Sequence, residues 1–123
     1  MATRNTASGG MSLATDSMTG LHWAGVVLAV VTGVLHLGLG AAFGVTTLGI
    51  GFIVAGIGFL VGAIAVLVDY RRRVMYLVGI PFTLGQVVAW YVLNAPSFSL
   101  LGIIDKVVQL AFVIVLVLLL RGD

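Results

Sequence analysis

Four long apolar runs alternate with short polar segments along the chain, and these runs predict the secondary structure. The first run, residues 21–41, has the length that a helix needs to cross the hydrocarbon core of a bilayer, about 20 residues. Three similar runs follow at residues 47–68, 74–93 and 99–120. Because the connections are short, successive helices should be antiparallel. The pattern predicts an all-α fold, a four-helix transmembrane bundle with up-down-up-down topology, over residues 20–121.

Residues 1–19 precede the first run and differ from it in composition. They are rich in Ser, Thr, Ala and Gly and show no hydrophobic periodicity. Such a segment buries too little apolar surface to offset the entropy of ordering it. We expect residues 1–19 to form a flexible tail in water.

Composition agrees with a membrane protein and excludes several other classes. Hydrophobic residues make up 61% of the chain and charged residues 8%, whereas a soluble domain carries about 25% charged residues. The chain contains no cysteine, which excludes disulfides, thiolate nucleophiles and cysteine-ligated metals. A net charge of +2 without a continuous basic face does not favour nucleic-acid binding.

One edge of the first predicted helix is small and polar, while the rest of its surface is bulky and aliphatic. The residues of this edge, at spacings of three and four, are His22, Gly25, Ala29, Thr32 and His36. Gly33 extends a small-residue row with Gly25 and Ala29 on nearly the same edge. In lipid, small residues let a second helix come close while bulky ones face the acyl chains. The edge therefore predicts a packing surface.

The second predicted helix carries a similar row of small residues. Its members, again at spacings of three and four, are Gly51, Ala55, Gly58, Gly62 and Ala65. Glycine in a soluble helix costs about 1 kcal/mol relative to alanine, so a glycine row in a membrane helix indicates close approach of a neighbour. We predict that this row packs against the small edge of the first helix as a tight hairpin.

Basic residues predict the orientation in the membrane. The main charge cluster consists of Arg71, Arg72 and Arg73. It lies in a short loop, where the positive-inside rule predicts a cytoplasmic location. Four spans place both termini on the same side, so Arg4 and Arg121 join the cluster and Lys106 remains near the outside. We predict a multi-pass protein of the cell membrane with both termini, and hence the tail, in the cytoplasm.

The strongly polar residues inside the predicted spans fall in the outer half of the bilayer when the helices are set in register. They are His36, Gln86, Trp90, Asp105, Lys106 and Gln109. A charge at such depth costs a few kcal/mol unless it is paired or hydrated. We expect one network in the bundle interior, with Asp105 meeting His36 or Lys106 reaching the interface. It either opens outward as a pocket or fixes helix register as a buried clasp, and the clasp is favoured because polar residues commonly join transmembrane helices.

Three segments, LHWAGVVLAVVTGVLHLGLG, LVDYRRR and IIDKVVQ, together resemble a family of small four-helix integral membrane proteins from halophilic archaea. The likeness covers most of the chain after the tail. That family is uncharacterised, so the resemblance implies a membrane fold and supplies no activity.

No catalytic motif, metal-ligand cluster or phosphate-binding loop occurs in the chain, so we expect no enzyme activity, no cofactor and no metal. The favoured role is a non-catalytic accessory or structural component of the membrane or of a larger membrane complex. Its partners would be membrane lipids and further membrane proteins, including copies of itself.

Two alternative functions stay open. A small transporter or channel subunit could use the outer polar cluster, because intramembrane acids are functional candidates. A haem-binding subunit is the third hypothesis, since His22 and His36 are 14 residues apart on nearly one face, about 21 Å along a helix. Such a site needs two further axial ligands from a partner chain or a methionine.

Overall fold

The computed structural model describes residues 13–122, and four long helices account for most of them. The helices are α1 (Gly20–Phe43), α2 (Thr47–Leu67), α3 (Arg72–Asn94) and α4 (Leu100–Gly122). A short 3-10 helix, Thr15–Ser17, precedes α1, and no strand occurs in this part of the chain. The predicted all-α fold with four helices is confirmed.

Side-chain caps and one glycine set the helix ends near α1 and α2. Thr19 Oγ1 accepts a hydrogen bond from the backbone N–H of His22, and His22 Nδ1 accepts from the backbone N–H of Thr19 at 3.1 Å, which is a reciprocal capping box. Thr46 Oγ1 accepts from the backbone N–H of Gly49 at 3.0 Å and starts α2. After α1 the chain turns at Gly44, whose φ of 70° favours glycine.

The helices form a ring in chain order, and neighbours in the ring are antiparallel. Each helix contacts the next along the chain, and α4 returns to α1. Residues from Gly33 to Gly40 on α1 meet residues from Gly56 back to Gly49 on α2. The contacting pairs that orient α4 against α1 and α3 are Gly25–Val115, Thr32–Asp105, Gly79–Leu116 and Gln86–Gln109. The helices therefore run up, down, up and down.

The two ends of the bundle differ in charge. The arginine end comprises the start of α1, the loop between α2 and α3, and the end of α4 with Arg121. The Asn94 end comprises the other two loops, 44–46 and 95–99.

The surface between the two ends is aliphatic. All four helices are long and apolar enough to cross a membrane. Bulky residues such as Val54 on α2, Val88 on α3 and Ile114 on α4 are exposed along the bundle. So large an apolar surface is unfavourable in water and suits contact with acyl chains, which fits a multi-pass membrane protein.

An apolar core fills the half of the bundle nearer the arginine end. Its members are Val26, Ala29, Phe59, Ala63, Val66, Tyr76, Phe112, Leu116 and Leu119. The buried polar side chains lie mainly toward the Asn94 end. The interior is thus divided along the bundle axis into an apolar half and a polar half.

The last residues of the predicted tail contact the arginine end. Residues 1–12, with Arg4, lie outside the described residues. The backbone N–H of Ala14 donates to Leu67 O at 2.7 Å, and Arg72 Nη1 donates to Ser17 Oγ at 2.7 Å. Arg72 Nε also donates to Val66 O at 2.8 Å. Arg72 therefore joins this segment to the end of α2, a structural role beyond the predicted topology signal.

Candidate functional site

Helix α1 uses a glycine face to contact α2. A Cβ atom placed on Gly33 would lie 3.2 Å from Gly56 O, and one placed on Gly40 would lie 3.0 Å from Gly49 O. The two backbones are therefore nearly in contact, which only glycine permits. The predicted hairpin of α1 and α2 is present. The contact is made by Gly33 and Gly40 of α1 with Gly56 and Gly49 of α2, and not by the row of α2 that was predicted for it.

The small edge predicted for α1 faces α4 instead of α2. Gly25 packs against Val115, and Thr32 Oγ1 donates to Asp105 Oδ1 at 2.7 Å. A buried hydroxyl or imidazole without a hydrogen-bond partner is costly. Because α2 carries no polar side chain after Thr47 whereas α4 carries several, the edge of α1 that contains Thr32 and His36 pairs with α4.

The small row predicted on α2 faces the gap between α2 and α3. A Cβ atom on Gly58 would lie 2.7 Å from Phe82 Cζ, so α3 comes close there. Cβ atoms on Gly51 or Gly62 would have no neighbour within 4 Å. Gly51, Ala55 and Gly62 therefore border open space. Ala65, at the end of the row, is buried.

Asp105 of α4 is the centre of a buried polar network. Its Oδ1 accepts from Thr32, and its Oδ2 accepts from Lys106 Nζ at 2.6 Å. His36 Nε2 lies 3.9 Å from the same Oδ2. These side chains are all at least nine-tenths buried. The carboxylate is therefore paired, as a buried charge requires, through Lys106 and through Thr32, a donor that was not among the six residues of the predicted cluster.

The network continues from α4 to α3 through two glutamines. Gln109 Nε2 donates to Gln86 Oε1 at 3.0 Å and lies 3.4 Å from Thr32 Oγ1. Gln86 Nε2 donates to the backbone oxygen of Phe82 at 3.1 Å. The network thus joins α1, α3 and α4, and α2 contributes no member to it.

The hydrogen bond to Thr32 determines which ring nitrogen of His36 carries a proton. His36 Nδ1 lies 2.8 Å from the backbone oxygen of Thr32. A carbonyl only accepts, so Nδ1 is the protonated nitrogen. In the neutral ring, Nε2 is then a hydrogen-bond acceptor, and His36 is one of the residues that line a large cleft.

Lys106 is buried and does not reach the bundle surface. Its ammonium group has three N–H donors, and among residues 13–122 Asp105 is its one hydrogen-bond acceptor. The ammonium nitrogen also lies 5.8 Å from the centroid of the Trp90 ring, within cation–π range. Trp90 in turn stacks on Phe98 with ring centroids 4.5 Å apart. All six residues of the predicted cluster therefore lie together.

The cleft beside this network, which we call the outer cleft, has a volume of about 740 Å³. His36, Asp105 and Lys106 supply its buried polar groups, and most other lining residues are apolar or aromatic. They include Leu39, Phe43, Phe52, Ala89, Leu93 and Leu101. It lies where α2 and α3 diverge toward the Asn94 end. The arrangement therefore combines a clasp between three helices with an open pocket against α2.

An aromatic layer separates the outer cleft from a smaller cavity. Phe59 stacks edge-on against Phe82 and Phe112 with centroid distances of 5.1 and 5.8 Å, and it lies 5.6 Å from the His36 ring. Beyond the layer lies an inner cavity of about 190 Å³. Its lining is almost wholly apolar and shares no residue with that of the outer cleft.

The chain matches DUF7475, a family of unknown function, over residues 8–120. It is a member of this family. No curated protein and no solved structure matches the chain. Membership agrees with the predicted resemblance to an uncharacterised family, and a halophilic archaeal origin stays a prediction.

His22, the other histidine of this DUF7475 protein, has a local structural role. Its Nδ1 accepts from the N-cap Thr19 and its ring lies 6.4 Å from that of Tyr76. Within residues 13–122 no three or more His, Asp or Glu side chains are grouped as a metal site. Haem binding stays a hypothesis, with its two further axial ligands to come from a partner chain or a methionine.

Two buried polar atoms lack a partner among the described residues. They are Thr83 Oγ1 on α3 and Gln109 Oε1 on α4. Thr83 was not singled out from the sequence, because a lone threonine in an apolar run carries no distinguishing pattern.

At the arginine end, Arg73 Nη1 donates to Leu120 O at 3.4 Å, so a second member of the arginine cluster binds a neighbouring helix.

Proposed function

We propose that this DUF7475 protein is a non-enzymatic accessory protein of the cell membrane that binds an amphipathic molecule in its outer cleft. The observation that carries the proposal is that the outer cleft and the inner cavity share no lining residue, from which we infer that the cleft has a closed base. Polar groups line the cleft from one end, and the layer of Phe59, Phe82 and Phe112 lines the inner cavity at the end nearer the cleft. A binding site needs one entrance, whereas a route for a hydrophilic solute needs polar groups along its whole length.

The distribution of polar groups along the bundle also argues against transport as the main role. Asp105 already accepts hydrogen bonds from Thr32 and Lys106, so it is not free to coordinate a cation. Beyond the aromatic layer, the inner cavity offers an ion or sugar almost no hydrogen-bonding partner. The transporter remains the second candidate, because charged residues do border an open cleft inside the predicted bilayer.

The proposal includes an orientation with both termini in the cytoplasm. It is supported by Arg71, Arg72, Arg73 and Arg121 at one end of the bundle and by Lys106 as the basic residue toward the other. In that orientation the outer cleft lies in the outer leaflet. Membrane lipids would be its first partners, and association with itself or with a larger complex stays a prediction.

Cysteine accessibility tests both the closed base and the orientation. The natural chain has no cysteine, so Gly51→Cys in the outer cleft and Gly62→Cys in the inner cavity can be compared on one helix. Both positions have room for a Cβ atom. We expect a charged, membrane-impermeant thiosulfonate added outside to modify Gly51→Cys and to leave Gly62→Cys intact.

Val54→Cys is the matched control, because Val54 is exposed on α2 and borders neither cavity. Facing lipid, it should resist the charged reagent. Equal modification of Gly51→Cys and Gly62→Cys from outside would reveal a continuous aqueous path and favour the transporter. Modification of Gly51→Cys only from the cytoplasmic side would overturn the orientation.

A further inference from the structure

The outer cleft presents one hydrogen-bond donor and one acceptor side by side. Lys106 Nζ has N–H groups beyond the one that Asp105 accepts. His36 Nε2 is an acceptor in the neutral ring, because Nδ1 donates to Thr32 O. Both nitrogens lie within 4 Å of Asp105 Oδ2, so one small polar group can reach both. A carboxyl group matches them, since its C=O accepts and its O–H donates.

Charge balance also favours a carboxylic acid over an obligate ion. The titratable groups that face the cleft are His36 from α1 and Asp105 and Lys106 from α4, while α2 and α3 contribute none. Asp105 and Lys106 form an ion pair, so the site is neutral when His36 is neutral. A carboxylic acid adds no net charge, whether its proton stays on oxygen or moves to His36 Nε2. A fixed cation or anion would leave an unbalanced charge at low dielectric.

The remaining walls suit an alkyl chain. Phe52 of α2 and Leu93 of α3 are among the apolar residues around the cleft. On the α2 side, the small residues Gly51 and Ala55 leave room for a ligand. The volume of about 740 Å³ exceeds what a carboxyl group alone would fill. An apolar segment attached to the head group would therefore occupy the rest, in contact with these walls.

From these observations we infer that the outer cleft binds a long-chain carboxylic acid, with its head group between His36 Nε2 and Lys106 Nζ. The inference rests on the proposed binding function and names its ligand class. The carboxyl C=O accepts from Lys106. The carboxyl O–H donates to His36, and transfer of that proton would give an imidazolium–carboxylate pair of the same net charge.

Quenching of Trp90 fluorescence tests the inference, because Trp90 lines the cleft and Trp23 lies at the other end of α1. The full chain with Trp23→Phe is titrated in lipid nanodiscs with stearic acid brominated near the middle of its chain. Its methyl ester and an alkyl trimethylammonium of equal length serve as comparison probes. We expect saturable quenching by the acid, with about tenfold weaker binding of both other probes.

Two variants separate head-group recognition from simple partition. His36→Phe should weaken binding of the acid about tenfold and leave the ester unchanged, because the ester has no proton to donate. Ala89→Phe, which fills the cleft from α3 without adding a second tryptophan, should abolish saturable quenching by all three probes. Circular dichroism and gel filtration verify folding, and Ala89→Phe still tests the site if His36→Phe does not fold.

The outcomes distinguish this inference from the proposed function. Equal binding of acid, ester and ammonium, abolished by Ala89→Phe, would overturn the carboxylic acid and leave the binding cleft intact. Absence of saturable quenching by every probe would overturn both. Acid binding that depends on His36 supports both.

Discussion

Helix α1 is joined to its two neighbours by opposite kinds of chemistry. Toward α2 it presents Gly33 and Gly40, and the contact is backbone against backbone. Toward α4 it presents Thr32 and His36, and the contact is a network centred on Asp105. The two contacts specify neighbouring helices in different ways: polar groups select their helix by hydrogen bonding, and glycines determine how closely the other helix approaches. α2 takes no part in the network, which leaves the space between α2 and α3 open as a cleft.

Removing the centre of the polar contact should have the largest effect. Asp105→Ala leaves the Lys106 ammonium buried without its acceptor, so we expect a loss of about 3–5 kcal/mol in the free energy of unfolding. Denaturation in mixed micelles, followed by circular dichroism, measures it. The double variant Asp105→Ala with Lys106→Met is the control and should recover much of the loss. A single variant as stable as the natural protein would contradict the assigned pairing.

The next largest loss of stability is expected at the glycine contact between α1 and α2. Only glycines on the face of α2 toward α1 should be sensitive to replacement by alanine. A Cβ atom on Gly56 would lie 2.8 Å from Gly33 O, and backbone cannot move aside cheaply. We expect Gly56→Ala to cost about 1–3 kcal/mol of unfolding free energy. Gly62→Ala, on the open face of the same helix, should be neutral or stabilising by up to about 1 kcal/mol. Thermal denaturation of both variants measures the difference. Equal destabilisation would contradict the observation that α2 contacts α1 through the face with Gly56 and not through the face with Gly62.

Two fully buried threonines should differ because only one has partners. Thr32→Val removes the hydroxyl that donates to Asp105 and should cost about 1–2 kcal/mol. Thr83→Val removes a hydroxyl without a partner among residues 13–122, so we expect no loss or a small gain in stability. The measurement is the midpoint of chemical denaturation for the matched pair. A clear loss on Thr83→Val would reveal a bound water or ligand at that hydroxyl.

A smaller loss of stability than for Thr32→Val is expected at the contact between α2 and α3. Gly58→Ala pushes against Phe82 Cζ at 2.7 Å, and that ring can shift. The expected cost is about 1 kcal/mol. The aromatic layer should loosen, so Gly62→Cys in this background should become reactive toward the external thiosulfonate. Continued protection would show that other side chains close the cleft.

Local and one-dimensional features were predictable from the sequence. Helix ends lie within two residues of the apolar runs, because each helix ends where its apolar run gives way to polar or turn residues, and threonine caps such as Thr19 and Thr46 act locally. The polar residues could be placed at one depth, since rise along a helix follows residue number. Their hydrogen bonds could not, because Thr32 of α1 meets Asp105 and Gln109 of α4 only after the helices pack.

By itself the sequence determined four membrane-length helices, their order along the chain and the half of the bundle that contains the polar groups. Only the tertiary structure decided which faces meet. On α1, the rows of Thr32 and Gly33 are one residue apart, so periodicity alone cannot choose between them. The choice depends on Asp105, which lies on α4, 73 residues from Thr32 along the chain. The physical reason is that a buried polar group takes whichever helix can satisfy it, and that condition exists only once the helices are assembled.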